Sequence, residues 1–254
     1  MTLALTELTA YLDQCLEPQR FSDYCPNGLQ VQGRAQVRKL ASGVTASQQL
    51  LDAAIDWGAD AVLVHHGYFW KGEPQPVTGM KRRRLGALLV NDVSLLAYHL
   101  PLDAHPRFGN NARLGELMGI PLTDHQPLHP DPAVVGSVAT LPAPVAAAEL
   151  VDTLARLTGR QPLHVGDPAA ILRRVAWCTG GAQGYIETAV AAGADLYVTG
   201  EASEQTVHVA REEGIGFIAA GHHATERYGV QALGEHLAQM FDIEHRFIDI
   251  DNPV

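Results

Sequence analysis

Apolar residues along the chain form short runs that alternate with amphipathic stretches of helical period. Three of these runs, residues 59–64, 93–98 and 215–220, have the length and composition of buried strands. Each run ends in polar residues, and in each case the first of them is a histidine or lies close to one. Strands that alternate with helices are typical of an α/β fold with a largely parallel sheet, and this is the fold class we predict.

Two stretches of the chain, residues 43–66 and 178–201, follow the same order of elements. Each passes from a strand end through a small-residue turn and an amphipathic helix to a Gly-Ala-Asp turn and another apolar strand. Gly58 and Gly193 stand where the helices end, a position that requires a left-handed backbone. Any two β-α-β segments share periodicity, but the matched turns favour an internal duplication.

The duplication predicts two pseudo-symmetric α/β/α halves with a small inserted α+β segment between them. We place the first half at residues 1–122, the insert at 123–174 and the second half at 175–254. Within the insert, Pro142 and Pro144 are expected to start an alanine-rich helix. Ligand sites in open α/β sheets lie at the carboxyl ends of strands, so a metal site shared between the two halves is expected.

Residues with metal-ligating side chains follow all three apolar runs. They are His65, His66, His99, Asp103, His222 and Glu226. In two of the three places the histidine precedes a carboxylate by four residues, which supplies a nitrogen and an oxygen ligand. Asp103 and Glu226 are the favoured oxygen ligands, because a carboxylate can bridge two cations about 3.5–4 Å apart.

The roles of several of these side chains stay open from the sequence. His65 and His66 could both reach one cleft, or one could bind metal while the other packs in the core. His99 could be a ligand, a general acid or base, or a residue that orients a ligand. Glu201 and Glu204 occupy the place of the histidine pair in the second half, either as outer or catalytic carboxylates or as a helix cap.

Nitrogen and oxygen ligands without thiolate suit Zn, Mn, Fe(II), Co or Ni. The three cysteines, Cys15, Cys25 and Cys178, are widely spaced and lack a C-x-x-C pattern, which argues against a structural zinc site or a disulfide framework. Two cations would lower the pKa of a bridging water and so provide hydroxide for attack on carbon or phosphorus. The expected cofactors are therefore two divalent metal ions.

Composition narrows the classes of function. The 254 residues carry a net charge of −10, which argues against binding of duplex nucleic acid. One local run is basic, from Lys71 to Arg84; a solvated helix start is the favoured interpretation, and an anion contact near the metal site is the alternative.

The chain lacks the phosphate-binding motif G-x-x-x-x-G-K-[ST] and the serine-hydrolase motif G-x-S-x-G. No membrane span or signal peptide is evident, and a cytoplasmic location is expected.

Other polar residues receive structural interpretations. Cys25 lies in the turn 22–30, which we interpret as a loop that joins a helix to a strand and could border the cleft. The histidines of the insert, His125, His129 and His164, are interpreted as loop or surface residues.

Several motifs, in this order along the chain, resemble the Nif-three-like family, many of whose bacterial members are labelled GTP cyclohydrolase I type 2 homologs. The motifs are Asp23–Val31, Val64–Gly72, His99–Ala104, Gly109–Asn111, Gly200–Glu201 and Gly221–Glu226. The resemblance implies a dinuclear metal centre and a ring-shaped homohexamer. The ligands that it implies are His65, His66, Asp103, His222 and Glu226, with Glu226 as the bridge.

Two functions are consistent with these residues. The first is a hydrolase in which a metal-bridging hydroxide attacks a cyclic amidine, an amide or a phosphate ester, while His99 or Glu201 moves protons. A small anionic or nucleotide-like substrate fits this function, and the family label implies ring opening of GTP. The alternative is a non-enzymatic, metal-binding hexameric scaffold or interaction protein in stress response or DNA maintenance.

Overall fold

The computed structural model describes residues 2–131 and 134–254, and it confirms the α/β class. The strands are β1 (Leu3–Ala4), β2 (Gly28–Val31), β3 (Gln36–Val37), β4 (Lys39–Thr45), β5 (Ala61–His66), β6 (Ser94–Ala97), β7 (Gln126–Pro127), β8 (Ser137–Ala146), β9 (Leu163–Val165), β10 (Ile171–Trp177), β11 (Leu196–Thr199), β12 (Gly216–Ala219) and β13 (Glu244–Phe247). The helices are α1 (Leu5–Leu16), α2 (Gln48–Trp57), α3 (Gly79–Val90), α4 (Leu100–Ala104), α5 (Asn110–Leu117), α6 (Ala147–Thr158), α7 (Ile186–Ala191), α8 (Glu204–Glu213), α9 (His222–Thr225) and α10 (Arg227–Phe241). Short 3-10 turns occur at Pro18–Arg20, Leu122–Asp124 and Gln183–Tyr185.

The chain divides into two compact units, each with its own sheet. The first unit comprises residues 1–102 and 229–251, and the second comprises residues 103–228 and 252–254. The predicted boundaries of the duplicated halves differ from these limits and stay a prediction.

The sheet of the first unit has the strand order β13-β4-β5-β6-β2. Strands β13, β4, β5 and β6 run parallel, and β2 adds to the edge in the antiparallel direction. Strands β4, β5 and β6 are buried along most of their length, as expected for strands that helices cover, whereas β13 at the edge is exposed or half-buried. Parallel strands end at the same edge of a sheet, so the residues after β5 and β6 lie side by side.

The three central strands of the second sheet are arranged like those of the first. Its order is β7-β8-β10-β11-β12-β9, and the three strands β10, β11 and β12 are parallel, like β4, β5 and β6. Alternate residues of β10 pack on opposite faces: Val175 and Trp177 join one core cluster and Ala176 joins another. Gly58 after α2 and Gly193 after α7 both have positive φ, 77° and 69°, as their positions at the helix ends predict.

Strands from the predicted insert extend the second sheet at both edges. β8 pairs antiparallel with β10, and β9 pairs antiparallel with β12. The predicted alanine-rich helix is present as α6, which ends at Thr158 before Gly159, but its predicted start at Pro142 and Pro144 was wrong, because β8 continues through both prolines to Ala146. β7 pairs only with the first two residues of β8, so the prolines lie in an edge portion that tolerates a missing N–H donor. Residues 132 and 133 of the insert lie outside the described residues.

No helix in the described part of the chain combines the length and apolar character that a membrane crossing requires.

Candidate metal centre

Three imidazoles of the first unit cluster at the carboxyl ends of β5 and β6. The ring centroids of His65 and His66 lie 4.5 Å apart, and that of His99 lies 5.0 Å from His65 and 5.7 Å from His66. Each ring offers a nitrogen within 4.8 Å of the other two. The parallel pairing of β5 with β6 produces this cluster, because it places the last residues of β5 next to those that follow β6.

The hydrogen bonds of the Nδ1 atoms determine which nitrogen can ligate a cation. Nδ1 of His65 lies 3.0 Å from the Tyr98 carbonyl oxygen, which only accepts, so this nitrogen carries the proton. Nδ1 of His66 lies 3.1 Å from the Thr45 hydroxyl oxygen. In His65 the lone pair is therefore on Nε2, the arrangement found in histidines that bind metal.

His99 is held by a carboxylate from a distant loop. Its Nδ1 lies 2.7 Å from Oδ1 of Asp23, and its backbone N–H donates to Oδ1 of Asn27 at 2.7 Å. Asp23 also accepts from the backbone of Leu100 and from Asn27. Burial alone would raise the pKa of Asp23, but the hydrogen bond from His99 and the others lower it to about 2. Asp23 is thus ionised at neutral pH and fixes the tautomer of His99.

The second unit brings together its three predicted ligands. Asp103 and Glu226 are both buried, and each offers a carboxylate oxygen within 4.8 Å of the other. Nε2 of His222 lies 3.2 Å from Oε2 of Glu226. Asp103 is oriented by Asn110, whose amide donates to its Oδ1 at 2.8 Å, and by Thr179 at 3.4 Å. Two neighbouring buried carboxylates concentrate negative charge, and His222 beside Glu226 adds a nitrogen donor, a combination that favours a cation.

Glu201 holds His222 in the way that Asp23 holds His99. Nδ1 of His222 lies 2.7 Å from Oε1 of Glu201, and Gln183 donates to the other oxygen of Glu201 at 3.3 Å. Burial lowers the pKa of His222, but the hydrogen bonds and charges of Glu226 and Glu201 outweigh it and raise the pKa to about 9. Each unit therefore contains a carboxylate–imidazole pair beside its candidate ligands.

Glu204, the other acidic candidate, does not join this cluster. Its side chain is 93% exposed in the first turn of α8, where its carboxylate lies 3.8 Å from Nε2 of His208. Ser203 caps the helix, since its hydroxyl accepts from the N–H of Thr206.

Gly180 brings the backbone close to the ligands of the second unit. Its φ is 71°, and a Cβ atom at this position would overlap Oε1 of Glu226 and lie 3.2 Å from Nε2 of His222. Its N–H donates to the Thr225 hydroxyl and its carbonyl accepts from Gly200. A side chain at position 180 is therefore incompatible with the placement of Glu226.

A cavity of about 310 Å³ adjoins Asp103 within the second unit. Three histidines, His105, His125 and His129, also line it, so two of the three histidines assigned to loops border a space that suits a small molecule. Burial lowers the pKa of His125, which holds this ring neutral. The cavity was not predicted from the sequence, because helix ends and loops between residues 103 and 137 form it only once they are folded together.

A thiol lies beside the first cluster: Sγ of Cys25 is within 4.8 Å of a nitrogen of His99 and of a carboxylate oxygen of Asp23. None of the three cysteines, all of which lie in the described residues, forms a disulfide, and Cys25 and Cys178 are buried. Burial raises the pKa of Cys25 to about 12 and that of Cys178 well above its ordinary value. Neither thiol ionises at neutral pH, which agrees with the assignment of Cys25 to a structural loop rather than to nucleophilic catalysis.

Comparison with known proteins places these residues in a family context. A family model described as Duf34/NIF3 (NGG1p interacting factor 3) matches residues 3–253. A Pseudomonas aeruginosa protein named GTP cyclohydrolase 1 type 2 homolog is 59% identical over 254 residues, which cover 100% of both chains.

Solved structures show the same fold. One, described as protein ybgI of unknown function, is 51% identical with a TM-score of 0.93 and covers 99% of this chain and 100% of its own. Another, from Thermus thermophilus, is 36% identical with a TM-score of 0.90 and the same coverage of the two chains.

Proposed function

Because this chain belongs to the Duf34/NIF3 family, we propose that it is a metal-dependent hydrolase whose two divalent ions are bound by His65, His66, Asp103, His222 and Glu226. The observation that carries the proposal is the donor set. Ligand atoms of His65 and His66 lie within 4.8 Å of each other in the first unit, and Glu226 offers an oxygen within that distance of Asp103 and of His222 in the second; all five are imidazoles or carboxylates. Such ligands fit Zn, Mn, Fe(II), Co or Ni.

The ions, when bound, supply Lewis-acid activation of water and of the electrophilic centre of the substrate. Glu226 supplies a buried carboxylate with two oxygens, which suits a bridging ligand. Glu201 acts as a positioning residue, because it holds His222 by Nδ1 and leaves the Nε2 edge toward Glu226. His99, fixed by Asp23, is the residue that we assign to hold or move a proton at Nε2.

The two carboxylate–imidazole pairs are expected to affect different quantities. Glu201→Gln weakens the hydrogen bond that orients His222, so the affinity for the metal ions should fall roughly 10- to 100-fold. Competition with a chromophoric chelator measures this affinity. Asp23→Asn should leave metal affinity near that of the wild type and lower kcat, because it releases the tautomer of His99. Glu204→Gln, an exposed carboxylate, is the matched control and should change neither quantity. Metal affinity of Glu201→Gln equal to that of the wild type would contradict the role assigned to Glu201.

The Pseudomonas aeruginosa relative is named as a GTP cyclohydrolase homolog, and on this basis we propose that the substrate is a cyclic amidine of the purine type. The metal-loaded protein should release formate from GTP, because one water opens the five-membered ring at C8 to a formamide and a second water hydrolyses that formamide. A panel of other nucleotides, phosphoesters and small cyclic amides is tested in parallel. Full metal occupancy without formate would exclude GTP, and an inactive protein across the whole panel would exclude the hydrolase.

A further inference from the structure

Two aromatic side chains on neighbouring loops of the first unit flank the imidazole of His99. The ring centroids of Tyr24 and His99 lie 6.4 Å apart at 61°, and those of Trp70 and His99 lie 5.1 Å apart at 80°. Trp70 also lies 5.9 Å from His66. Tyr24 and Trp70, which we call the aromatic rim, therefore border the histidine cluster.

Hydrogen bonds link the two loops that carry the aromatic rim. The amide of Gln30 donates to the carbonyls of Pro26 and Tyr68, and its Oε1 accepts from the N–H of Tyr68 at 2.7 Å. The N–H of Lys71 donates to the Tyr24 carbonyl at 2.6 Å. These main-chain and side-chain amide hydrogen bonds fix the backbone positions from which the Tyr24 and Trp70 side chains extend.

The segment around Trp70 holds an unusual backbone. Phe69 has φ 65°, a left-handed conformation that is rare for a bulky residue, and its side chain is 38% exposed. The turn is secured on both sides: the Tyr68 hydroxyl donates to the Ala46 carbonyl, and Trp70 donates from Nε1 to Gly67 and from its backbone to Glu73. Strain of this kind persists where the surroundings impose it and is concentrated at ligand sites.

Exposure and charge indicate what the aromatic rim contacts. Tyr24 is 63% exposed, so a large part of its ring is accessible to a ligand. Trp70 is half-buried, and Lys71 next to it is exposed, whereas Lys81 is paired with Glu73 at 3.4 Å. A largely exposed tyrosine ring and a partly exposed tryptophan ring beside an exposed lysine suit a ligand that has a π-face and negative charge.

We propose that Tyr24 and Trp70 stack the planar heteroaromatic ring of a nucleotide, with Lys71 beside its phosphate. The inference deepens the proposed function, on which it rests, by naming the residues that bind the ring and the phosphate of the substrate. Stacking by itself requires no cation, so the aromatic rim and the metal centre can be tested separately.

Quenching of tryptophan emission tests the aromatic rim directly. Of the three tryptophans, Trp177 is fully buried and Trp57 is half-buried, so the titration uses Trp57→Phe, in which Trp70 is the accessible reporter. Three probes are added to the full-length protein, both after chelator treatment and after loading with Mn²⁺: GMP, guanosine and ribose 5-phosphate. GMP should quench most effectively, guanosine should quench at higher concentration, and ribose 5-phosphate should leave the emission unchanged. Absence of quenching by GMP, or tighter binding of ribose 5-phosphate than of guanosine, would overturn the proposal.

Variants separate stacking from folding. Trp70→Leu and Tyr24→Leu should each weaken GMP binding in equilibrium dialysis by roughly 5- to 100-fold. Tyr24→Phe keeps the ring and should bind GMP like the wild type, as should Val90→Ala, an exposed apolar control on α3. Tyr24 is mostly exposed, so its leucine variant remains informative even if Trp70→Leu fails to fold. Unchanged GMP affinity in Tyr24→Leu would contradict the aromatic rim.

The two proposals fail in different ways. Ring-dependent binding of GMP without turnover of any nucleotide or other panel substrate supports the aromatic rim and excludes the hydrolase. Turnover of phosphoesters that lack a ring, with no ring-dependent binding, supports the hydrolase and excludes the aromatic rim.

Discussion

Replacement of Glu226 by glutamine is expected to eliminate stoichiometric metal binding while the fold is retained. The side chain is 3% exposed, and its carboxylate lies within 4.8 Å of a carboxylate oxygen of Asp103 and 3.2 Å from Nε2 of His222. Glutamine has nearly the same shape but lacks the negative charge that the proposed cation site requires, so the affinity loss should exceed the roughly 10- to 100-fold that loss of an orienting residue causes. Metal content per chain, measured by plasma mass spectrometry, should fall from two ions to fewer than one.

The matched control for this variant is Glu212→Gln, which removes an exposed carboxylate from α8. It should retain two ions per chain. Circular dichroism should show the same helix content in both variants. Two ions per chain in Glu226→Gln would contradict the assignment of Glu226 as a metal ligand.

Substitution of Gly180 by alanine is expected to lower both metal binding and stability. A Cβ atom there would overlap Oε1 of Glu226, and this buried side chain has little space into which to move. The positive φ adds about 1–2 kcal/mol of backbone strain. The free energy of unfolding should therefore fall by more than this amount, and metal content should fall with it.

Gly193 provides a control that isolates the backbone contribution. It has nearly the same φ as Gly180, 69° against 71°, but a Cβ atom at Gly193 meets nothing within 4 Å. In Gly193→Ala the free energy of unfolding should fall only by the backbone strain of about 1–2 kcal/mol, and the variant should retain two ions per chain. If urea denaturation and metal analysis gave the same results for the two variants, close approach of the backbone to Glu226 would have no role in metal binding.

The sequence predicted the elements whose pattern is local. The apolar runs at 59–64, 93–98 and 215–220 correspond to β5, β6 and β12, because uninterrupted apolar residues are typical of parallel strands that are buried on both faces. The family resemblance is confirmed by the match over residues 3–253. The homohexamer stays a prediction, which the mass of the purified particle tests against the 27.3 kDa chain.

The features that the sequence did not reveal depend on contacts between distant residues. Asp23 and His99 are far apart along the chain, and only the folded sheet edge brings the carboxylate to Nδ1. Gln30 reaches Tyr68 in the same way. The run of β8 through Pro142 and Pro144 was missed because proline marks a helix start in isolated sequence, whereas pairing with β10 decides the outcome in the fold. The sequence of residues 23–28 predicted a turn, but it did not show that Asp23 of this turn would orient His99.

Anomalous diffraction from crystals of the Mn²⁺- or Zn²⁺-loaded protein tests the central claim most directly. The account predicts two anomalous peaks per chain, each about 2.0–2.3 Å from nitrogen or oxygen atoms drawn from His65, His66, Asp103, His222 and Glu226. A fully loaded crystal with no peak beside these five side chains, or with the ions held by other residues, would contradict it.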